Sequence, residues 1–208
     1  DSYVYKESPV GFSADEGLLS LYEVRTVATD REHGKRVYQG LVKRSAKAAN
    51  VLRRAFLTCM EDKELCLYAF VRRVFQEGGG FMQDLSDPVC YPLHRAIRHM
   101  NGELEKLRGF VRFSDYNGVL GAVIEPKNRV LPLLRHHFCD RYANEAFFIF
   151  DRTHREVLLY AKGVSRIAPL EHLELAAPND TEIQYRRLWK TFFEMVAIRE
   201  RKNPRCQN

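Results

Sequence analysis

Two histidines, a cysteine and an aspartate crowd one short stretch, VLPLLRHHFCDRY, residues 130–142. Imidazole, thiolate and carboxylate groups are the side chains that bind transition metals or transfer protons near neutral pH. His136 lies four residues before Asp140, so these two side chains would meet on one face of a helix. A catalytic zinc site requires three protein ligands, however, and no H-E-x-x-H pattern is present. The stretch therefore predicts no metal site.

The second histidine of this stretch is the stronger candidate for chemistry. His137 shares the apolar helical face of Leu134 and Phe138, and an imidazole can act as a general acid or base near neutral pH. A half-buried histidine that anchors a helix end is the more common role for such a residue. Arg141 follows one turn later, where its guanidinium could contact a phosphate. Both roles of His137 stay open at this point.

A hairpin is predicted just before this stretch. FVRFSDY and VLGAVI flank Asn117-Gly118, which is a strong signal for a two-residue β-turn. Such a turn sets the register of the ladder, because side chains alternate between the two faces of each strand. The predicted cross-strand pairs are Tyr116–Val119, Ser114–Gly121, Arg112–Val123 and Phe110–Glu125.

One face of this hairpin is apolar core, and the opposite face carries polar and aromatic groups. We call the latter the hairpin face; it consists of Phe110, Arg112, Ser114, Tyr116, Gly121 and Glu125. Arg112 and Glu125 would be diagonal neighbours within reach of a salt bridge, with a dip at Gly121 beside them. Arg112 could then contact a phosphate or base while Phe110 and Tyr116 offer stacking surfaces. A solvated sheet face with one ion pair is the alternative.

The end of the chain, IRERKNPRCQN, is basic. Arg201, Lys202 and Arg205 would stand at the C-terminus of a helix, where the helix dipole favours cations. These cations either compensate that dipole or form a phosphate-contacting tail. No Ser/His/Asp set, Rossmann glycine pattern or Walker motif is present, so no cofactor is predicted.

The periodicity of apolar residues predicts an α+β fold, with an N-terminal helical region followed by two antiparallel β-hairpins and packed helices. The second hairpin is formed by AFFIFD and EVLLYA. Asn179 begins a last helix whose broad apolar face includes Trp189 and Phe192. Residues 1–28 form an irregular lead-in, and 29–208 a single α+β domain. Residues 29–107 are its helical part, and 108–208 its hairpin and helix part.

Composition limits the class of protein. The 208 residues are 45% hydrophobic and 29% charged, which is typical of a globular chain, and no apolar run is long enough to cross a bilayer. Five scattered cysteines without a C-x-x-C spacing argue against a disulfide framework and favour a reduced, cytoplasmic setting. A net charge of +6 is compatible with nucleic acid as a partner.

Five segments, in this order along the chain, carry a family resemblance: TDREHGKRVYQGL, LSDPVCYPLHRAIR, EKLRGFVRF, IEPKNRVLPLLRHHFCDR and QYRRLWKTFFEMVAIRERKNPRCQ. Together they resemble a bacterial domain family of undefined biochemical function that is assigned to DNA metabolism and DNA repair. The resemblance implies a gene encoded beside a radical-SAM protein of DNA repair or modification. In some bacteria the domain is fused in front of a uracil-DNA glycosylase-like domain.

The chain keeps the residues of the family's motifs and departs from them at two positions. Arg135 and His136 stand where the family reads Ala-Pro, so His136 is an addition to the pattern. The resemblance also implies a first strand and helix of which residues 1–28 hold only part, and a basic, aromatic tail beyond Asn208. The retained positions are Arg112, Phe113, Glu125, Pro126, Leu131, Pro132, His137, Phe138, Arg141, Trp189, Phe192, Phe193, Arg201, Asn203, Pro204 and Arg205.

These observations predict an accessory nucleic-acid-binding protein that works with a radical-SAM partner in DNA repair or nucleic-acid modification, on DNA or RNA and away from membranes. An alternative from another class is a hydrolase or glycosylase-like enzyme. It would use Glu125 or His137 as acid/base and requires both to converge with Arg112 in one pocket. A third interpretation is a structural subunit whose Trp189 and Phe192 dock the radical-SAM protein.

Overall fold

The computed structural model describes residues 8–13, 21–116 and 118–173, which contain five α-helices and one five-stranded sheet. The helices are α1 (Arg31–Arg44), α2 (Ala46–Ala55), α3 (Lys63–Glu77), α4 (Cys90–Phe110) and α5 (Leu131–Arg141). The strands are β1 (Ser114–Asp115), β2 (Leu120–Ile124), β3 (Phe147–Asp151), β4 (Glu156–Ala161) and β5 (Val164–Pro169). None of the described helices is both long enough and apolar enough to span a membrane.

The contacts divide the chain into two compact units. The first consists of Asp1–Leu107 and Pro126–Val130, and the second of Arg108–Glu125 and Leu131–Asn208. This division does not test the predicted single domain of residues 29–208, which stays a prediction.

The described part of the first unit is helical, as its 3.6-residue apolar periodicity predicts. Its core is formed by apolar side chains from α1, α2, α3 and the start of α4, among them Leu41, Phe70, Val74 and Leu93, each fully buried. The N-terminus of α4 is capped by Asp87, whose Oδ1 accepts the backbone N–H groups of Val89 and Cys90 at 2.9 and 3.1 Å. The sequence Ser86-Asp87-Pro88, a capping residue followed by proline in the first turn, predicts that a helix begins here and runs to about Leu107, and the structure confirms the cap.

A polar network holds Pro126–Val130 in the first unit. The Glu103 carboxylate of α4 accepts the backbone N–H groups of Lys127 and Asn128 at 2.8 and 2.9 Å, and the Asn128 amide at 2.7 Å. The buried Asn128 in turn accepts the Cys59 backbone N–H through Oδ1 at 2.9 Å. These bonds satisfy polar groups that would be costly to bury alone.

The second unit is built on the sheet, whose strands lie in the order β1-β2-β3-β4-β5. Neighbouring strands are antiparallel except β2 and β3, which are parallel. A parallel pair requires a crossover connection, and here α5 supplies it. Aromatic rings of α5 and the sheet fill the core; Phe138, Phe147 and Tyr160 are all buried.

The predicted α+β class is confirmed, but its hairpin arrangement is only partly correct. The turn residues Tyr116 and Val119 exchange backbone hydrogen bonds of 2.9 and 3.3 Å, and Ser114 pairs with Gly121, as predicted. The second hairpin, β3–β4, is also confirmed. The two hairpins are not separate, however, because the parallel β2–β3 ladder joins them into one mixed sheet. In addition, β5 extends that sheet and was not predicted.

The predicted cross-strand partners of Arg112 and Phe110 are wrong. The helical hydrogen bonding of α4 continues to Phe110, and β1 begins only at Ser114, so neither residue lies in the ladder. The physical reason is that EKLRGF continues a helix whose earlier turns are already anchored by buried Met100 and Leu104. The predicted last helix from Asn179 lies outside the described residues.

Candidate nucleic-acid interface

The parallel pairing of β2 and β3 brings two strand ends together. Ile124 and Asp151, the last residues of these strands, are register partners, and the Arg152 backbone N–H donates to the Ile124 carbonyl at 3.0 Å. The side chains that follow therefore emerge side by side at one edge of the sheet. Glu125 and Arg152 form an ion pair there, and both are more than half exposed. In sheets with parallel strands this carboxyl-terminal edge is where ligands usually bind.

Beside this ion pair lies a buried carboxylate that is hydrogen-bonded to an imidazole. Asp151 is fully buried, and its Oδ1 accepts the His154 backbone N–H at 3.0 Å. Its Oδ2 lies 2.7 Å from His154 Nδ1, so the carboxylate fixes the orientation of the ring. Burial raises the pKa of Asp151, although the hydrogen bonds from His154 oppose this effect. The arrangement can cap the β3–β4 turn and can also orient a histidine for proton transfer.

A second exposed ion pair borders the same turn. Arg155 adopts a left-handed backbone with φ +53°, and its guanidinium lies 2.8 Å from the Glu171 carboxylate. The Arg155 carbonyl accepts the Leu170 backbone N–H at 2.8 Å, which fixes the turn against the segment that follows β5. Arg152 and Arg155 are thus two exposed guanidiniums on one turn, each already paired with a carboxylate.

Phe110 and Arg112 lie at the link between α4 and β1. The Phe110 ring is 64% exposed, although Phe110 ends a helix, and Arg112 is exposed two residues later. Partial desolvation lowers the pKa of the Arg112 guanidinium. An arginine nevertheless stays protonated at neutral pH. Both predicted contact residues are therefore accessible, but they belong to a helix end and a loop instead of the hairpin face.

The third predicted stacking residue is partly covered. The rings of Tyr116 and Phe148 lie with centroids 5.9 Å apart, over the position where Gly121 has no side chain. A Cβ at Gly121 would lie 2.7 Å from the Tyr116 ring and would also collide with Phe148. The predicted dip at Gly121 is therefore filled by these two rings. Tyr116 is half-buried and offers only part of its surface for stacking.

On α5, the two histidines of the segment VLPLLRHHFCDRY have different environments. His136 and Asp140 form the predicted pair at 2.6 Å, and both are well exposed. His137 is half-buried against the Phe138 ring, with centroids 4.9 Å apart. Its Nε2 is buried and makes no hydrogen bond within the described part of the chain. Arg141 is exposed, and its guanidinium lies 5.8 Å from the centroid of the Tyr142 ring.

The predicted acid/base residues, Glu125 and His137, share no hydrogen bond or ion pair. Glu125 pairs with Arg152 instead of Arg112, whereas the ring contact of His137 is with Phe138. No group of three or more His, Cys, Asp or Glu side chains in the described ranges could hold a metal ion. The remaining predicted contact residues, Trp189, Phe192, Arg201, Lys202 and Arg205, lie outside those ranges.

Sequence reasoning missed the contribution of Asp151, Arg152 and His154. A signal was present, since FFIFD is a strongly apolar run that ends in a carboxylate and is followed by a histidine three residues later. The same pattern is equally typical of a polar turn between two strands that has no functional role. What makes it a site candidate is the parallel neighbour β2, which places Glu125 next to Arg152, and a local pattern does not reveal that pairing.

Comparison with known proteins identifies the family of the chain. Residues 61–208 match the family model DUF4130, a domain of unknown function, and the chain belongs to this family. No curated protein and no solved structure matches the chain. The radical-SAM neighbour and the glycosylase fusion expected from the resemblance stay predictions.

Proposed function

We propose that this protein is an accessory nucleic-acid-binding protein that works with a radical-SAM enzyme in DNA repair or nucleic-acid modification. The observation that carries the binding role is the exposed pair formed by Phe110 and Arg112 at the α4–β1 link. Phe110 is 64% exposed, so its apolar surface stays in contact with water, and it stands two residues from the exposed Arg112.

This pair has the chemistry of a single-strand contact. A base can stack on an aromatic ring whatever its identity, and a guanidinium can hold the adjacent phosphate through two hydrogen bonds. The radical-SAM partner and the repair setting are supported by the resemblance of the five sequence segments described above.

Binding of fluorescently labelled oligonucleotides to the full chain tests the proposal. Single- and double-stranded DNA and RNA are titrated at several salt concentrations, first with the wild type. Phe110→Ala should weaken single-strand binding by about 1–3 kcal/mol, the range for one stacked base. Arg112→Ala should weaken binding and reduce the salt slope by about one.

Two other exposed residues provide matched controls. Tyr91, at the start of α4, is 53% exposed, and Arg98 lies exposed on the same helix. Tyr91→Ala and Arg98→Ala should leave single-strand affinity close to that of the wild type. If the wild-type chain binds none of the four nucleic acids, or if Phe110→Ala and Arg112→Ala bind like the wild type, the proposal fails.

The partner is tested separately by co-expression with the radical-SAM protein that the family resemblance predicts beside this gene. Affinity purification of the tagged chain should retain that protein together with nucleic acid. Retention after nuclease treatment would show a direct protein contact. Absence of the radical-SAM protein in the eluate contradicts the accessory role and leaves the nucleic-acid measurements unaffected.

A second candidate, a hydrolase that acts on nucleic acid, is favoured by the sheet-edge carboxylates and imidazole. Asp151 orients His154, and Glu125 lies beside the same turn, so a proton acceptor and a carboxylate share one edge. The test measures turnover of labelled oligonucleotides by the purified chain. Loss of this turnover in both Glu125→Gln and His154→Asn, with unchanged circular dichroism, supports the hydrolase. Turnover that survives both substitutions excludes it.

A further inference from the structure

The first unit carries a concentration of positive charge that is separate from the residues used above. Residues 31–55, which form α1, α2 and Ser45 between them, contain eight lysines and arginines and one glutamate. The whole chain, in contrast, has 33 basic and 27 acidic residues. We call this set the helix-pair surface; its cations are Arg31, Lys35, Arg36, Lys43, Arg44, Lys47, Arg53 and Arg54.

These cations are exposed, and the described residues place no carboxylate in an ion pair with them. Seven of the eight are exposed, with Arg54 half-buried against Asn101. None of the eight forms an ion pair with a carboxylate in the part of the chain that the structure describes. Three other arginines, in contrast, are paired: Arg73 contacts both Glu77 and Asp87, Arg152 contacts Glu125, and Arg155 contacts Glu171.

The two helices hold these cations in a fixed arrangement. Ser45 alone separates them, and its extended backbone turns the chain sharply, with its N–H bonded to the Leu41 carbonyl at 2.8 Å. The Ser45 hydroxyl accepts the Ala48 N–H at 3.2 Å and caps α2. Leu41 and Ala48 are fully buried, so the inner sides of both helices are anchored in the core. The exposed cations are therefore attached to two helices whose backbones are anchored.

Helix stability accounts for only part of this charge. Lys43 and Arg44 lie in the last turn of α1, where cations offset the helix dipole. Lys47, however, lies in the first turn of α2, where the dipole disfavours a cation and no acidic residue is present. The corner between the helices therefore gathers cations on both sides of Ser45, including one that costs helix stability. An anionic ligand would offset that cost.

We infer that the helix-pair surface binds the sugar–phosphate backbone of nucleic acid without regard to sequence, with Lys43, Arg44 and Lys47 at its centre. Lysine and arginine contacts to phosphates release counterions and give affinity that is independent of base identity. Ala46, which is small and exposed, stands between Arg44 and Lys47 in the chain. This inference rests on the proposed function and adds a second contact surface, on the other unit, to Phe110 and Arg112.

The experiment measures the salt dependence of binding of a labelled mixed-sequence DNA duplex to the full chain. In Lys43→Gln/Lys47→Gln, two phosphate contacts are removed, and the slope of log K against log salt should fall by about two. Between about 50 and 200 mM salt, the weakening of binding should then be about tenfold smaller than for the wild type. Arg95→Gln/Arg98→Gln, with the same charge change on exposed residues of α4, should keep the wild-type slope.

The possible outcomes separate this inference from the proposed function. If the wild type binds DNA but Lys43→Gln/Lys47→Gln keeps the wild-type salt slope, this inference fails while the proposed function stands. The same holds if the salt slope falls equally in the α4 control, Arg95→Gln/Arg98→Gln. A reduced slope combined with wild-type single-strand affinity in Phe110→Ala and Arg112→Ala supports it and moves the binding role away from the α4–β1 link. Absence of any wild-type binding overturns both. Binding to vesicles rich in phosphatidylserine without binding to DNA overturns the nucleic-acid assignment of this surface.

Discussion

At the scale of single residues, Gly121 shows most clearly how the sheet constrains the sequence. The space above its Cα is occupied by the rings of Phe148 and Tyr116, so any side chain there must displace an aromatic ring. The register Ser114–Gly121 could be predicted from Asn117-Gly118, because a two-residue turn fixes local pairing. The position of the Phe148 ring over Gly121 could not be predicted in this way, because Phe148 belongs to the parallel neighbouring strand β3.

Gly121→Ala should destabilise the protein by about 1–3 kcal/mol, the usual cost of forcing extra atoms into a packed site. Gly102→Ala is the matched control. Gly102 lies inside α4 with open space around its Cα, so the same added methyl group should stabilise by about 0.5–1 kcal/mol. Urea unfolding followed by circular dichroism measures both. Equal effects of the two substitutions would contradict the packing around Gly121.

Asp151 predicts a pH dependence of stability with a defined sign. Because burial raises its pKa in the folded state, ionisation is easier in the unfolded chain. Its contribution to stability is therefore largest in acid and declines as pH rises from about 3.9, the ordinary aspartate value, through the folded pKa. Asp151→Asn removes this titration. The free energy of unfolding of the wild type minus that of the variant should therefore fall as pH rises through this range. A difference that is constant with pH, measured by urea unfolding, contradicts the prediction.

At the scale of elements, sequence patterns predicted what is local. The cap of α4, the turn between β1 and β2 and the β3–β4 hairpin each depend on residues that are close in sequence, and all three are confirmed. The extension of α4 to Phe110 and the β2–β3 ladder were not predicted, because helix length and parallel pairing are set by packing between distant segments. For the same reason, the sheet-edge group at Glu125 and His154 became visible only in the structure.

The Asp87 cap provides a test at this scale. Although burial opposes ionisation, hydrogen bonds from Arg73 and from the backbone of Val89 and Cys90 lower the pKa of Asp87. Its contribution to stability is thus complete above about pH 3.9 and is lost as pH falls through the lower, folded pKa. Asp87→Ala should lower Tm at pH 7 more than Asp87→Asn, since asparagine still caps a helix but carries no charge. Both variants should lose the part of the acid dependence of stability that Asp87 contributes. If both variants keep the wild-type Tm, the prediction is wrong.

At the scale of the whole molecule, the distribution of charge matters more than its total. A net charge of +6 over 208 residues is modest, yet α1 and α2 concentrate cations, whereas the arginines of the β3–β4 turn are paired with carboxylates. The sequence-based prediction placed nucleic-acid contacts at the hairpin, at Arg141 and in the C-terminal tail. It overlooked α1 and α2, because only the structure shows which of their cations are exposed and lack carboxylate partners.

The parallel β2–β3 ladder also has a consequence for how the protein folds. The β3–β4 and β4–β5 pairs close across short turns, whereas β2 meets β3 only after α5 and its loops have been ordered. Loop-closure entropy delays such pairing. We expect φ-values, measured from folding and unfolding rates, to be higher for Leu158→Ala in β4 than for Ala122→Gly in β2. Until that late step, β2 and β3 each expose an unpaired edge, so aggregation during refolding should begin there.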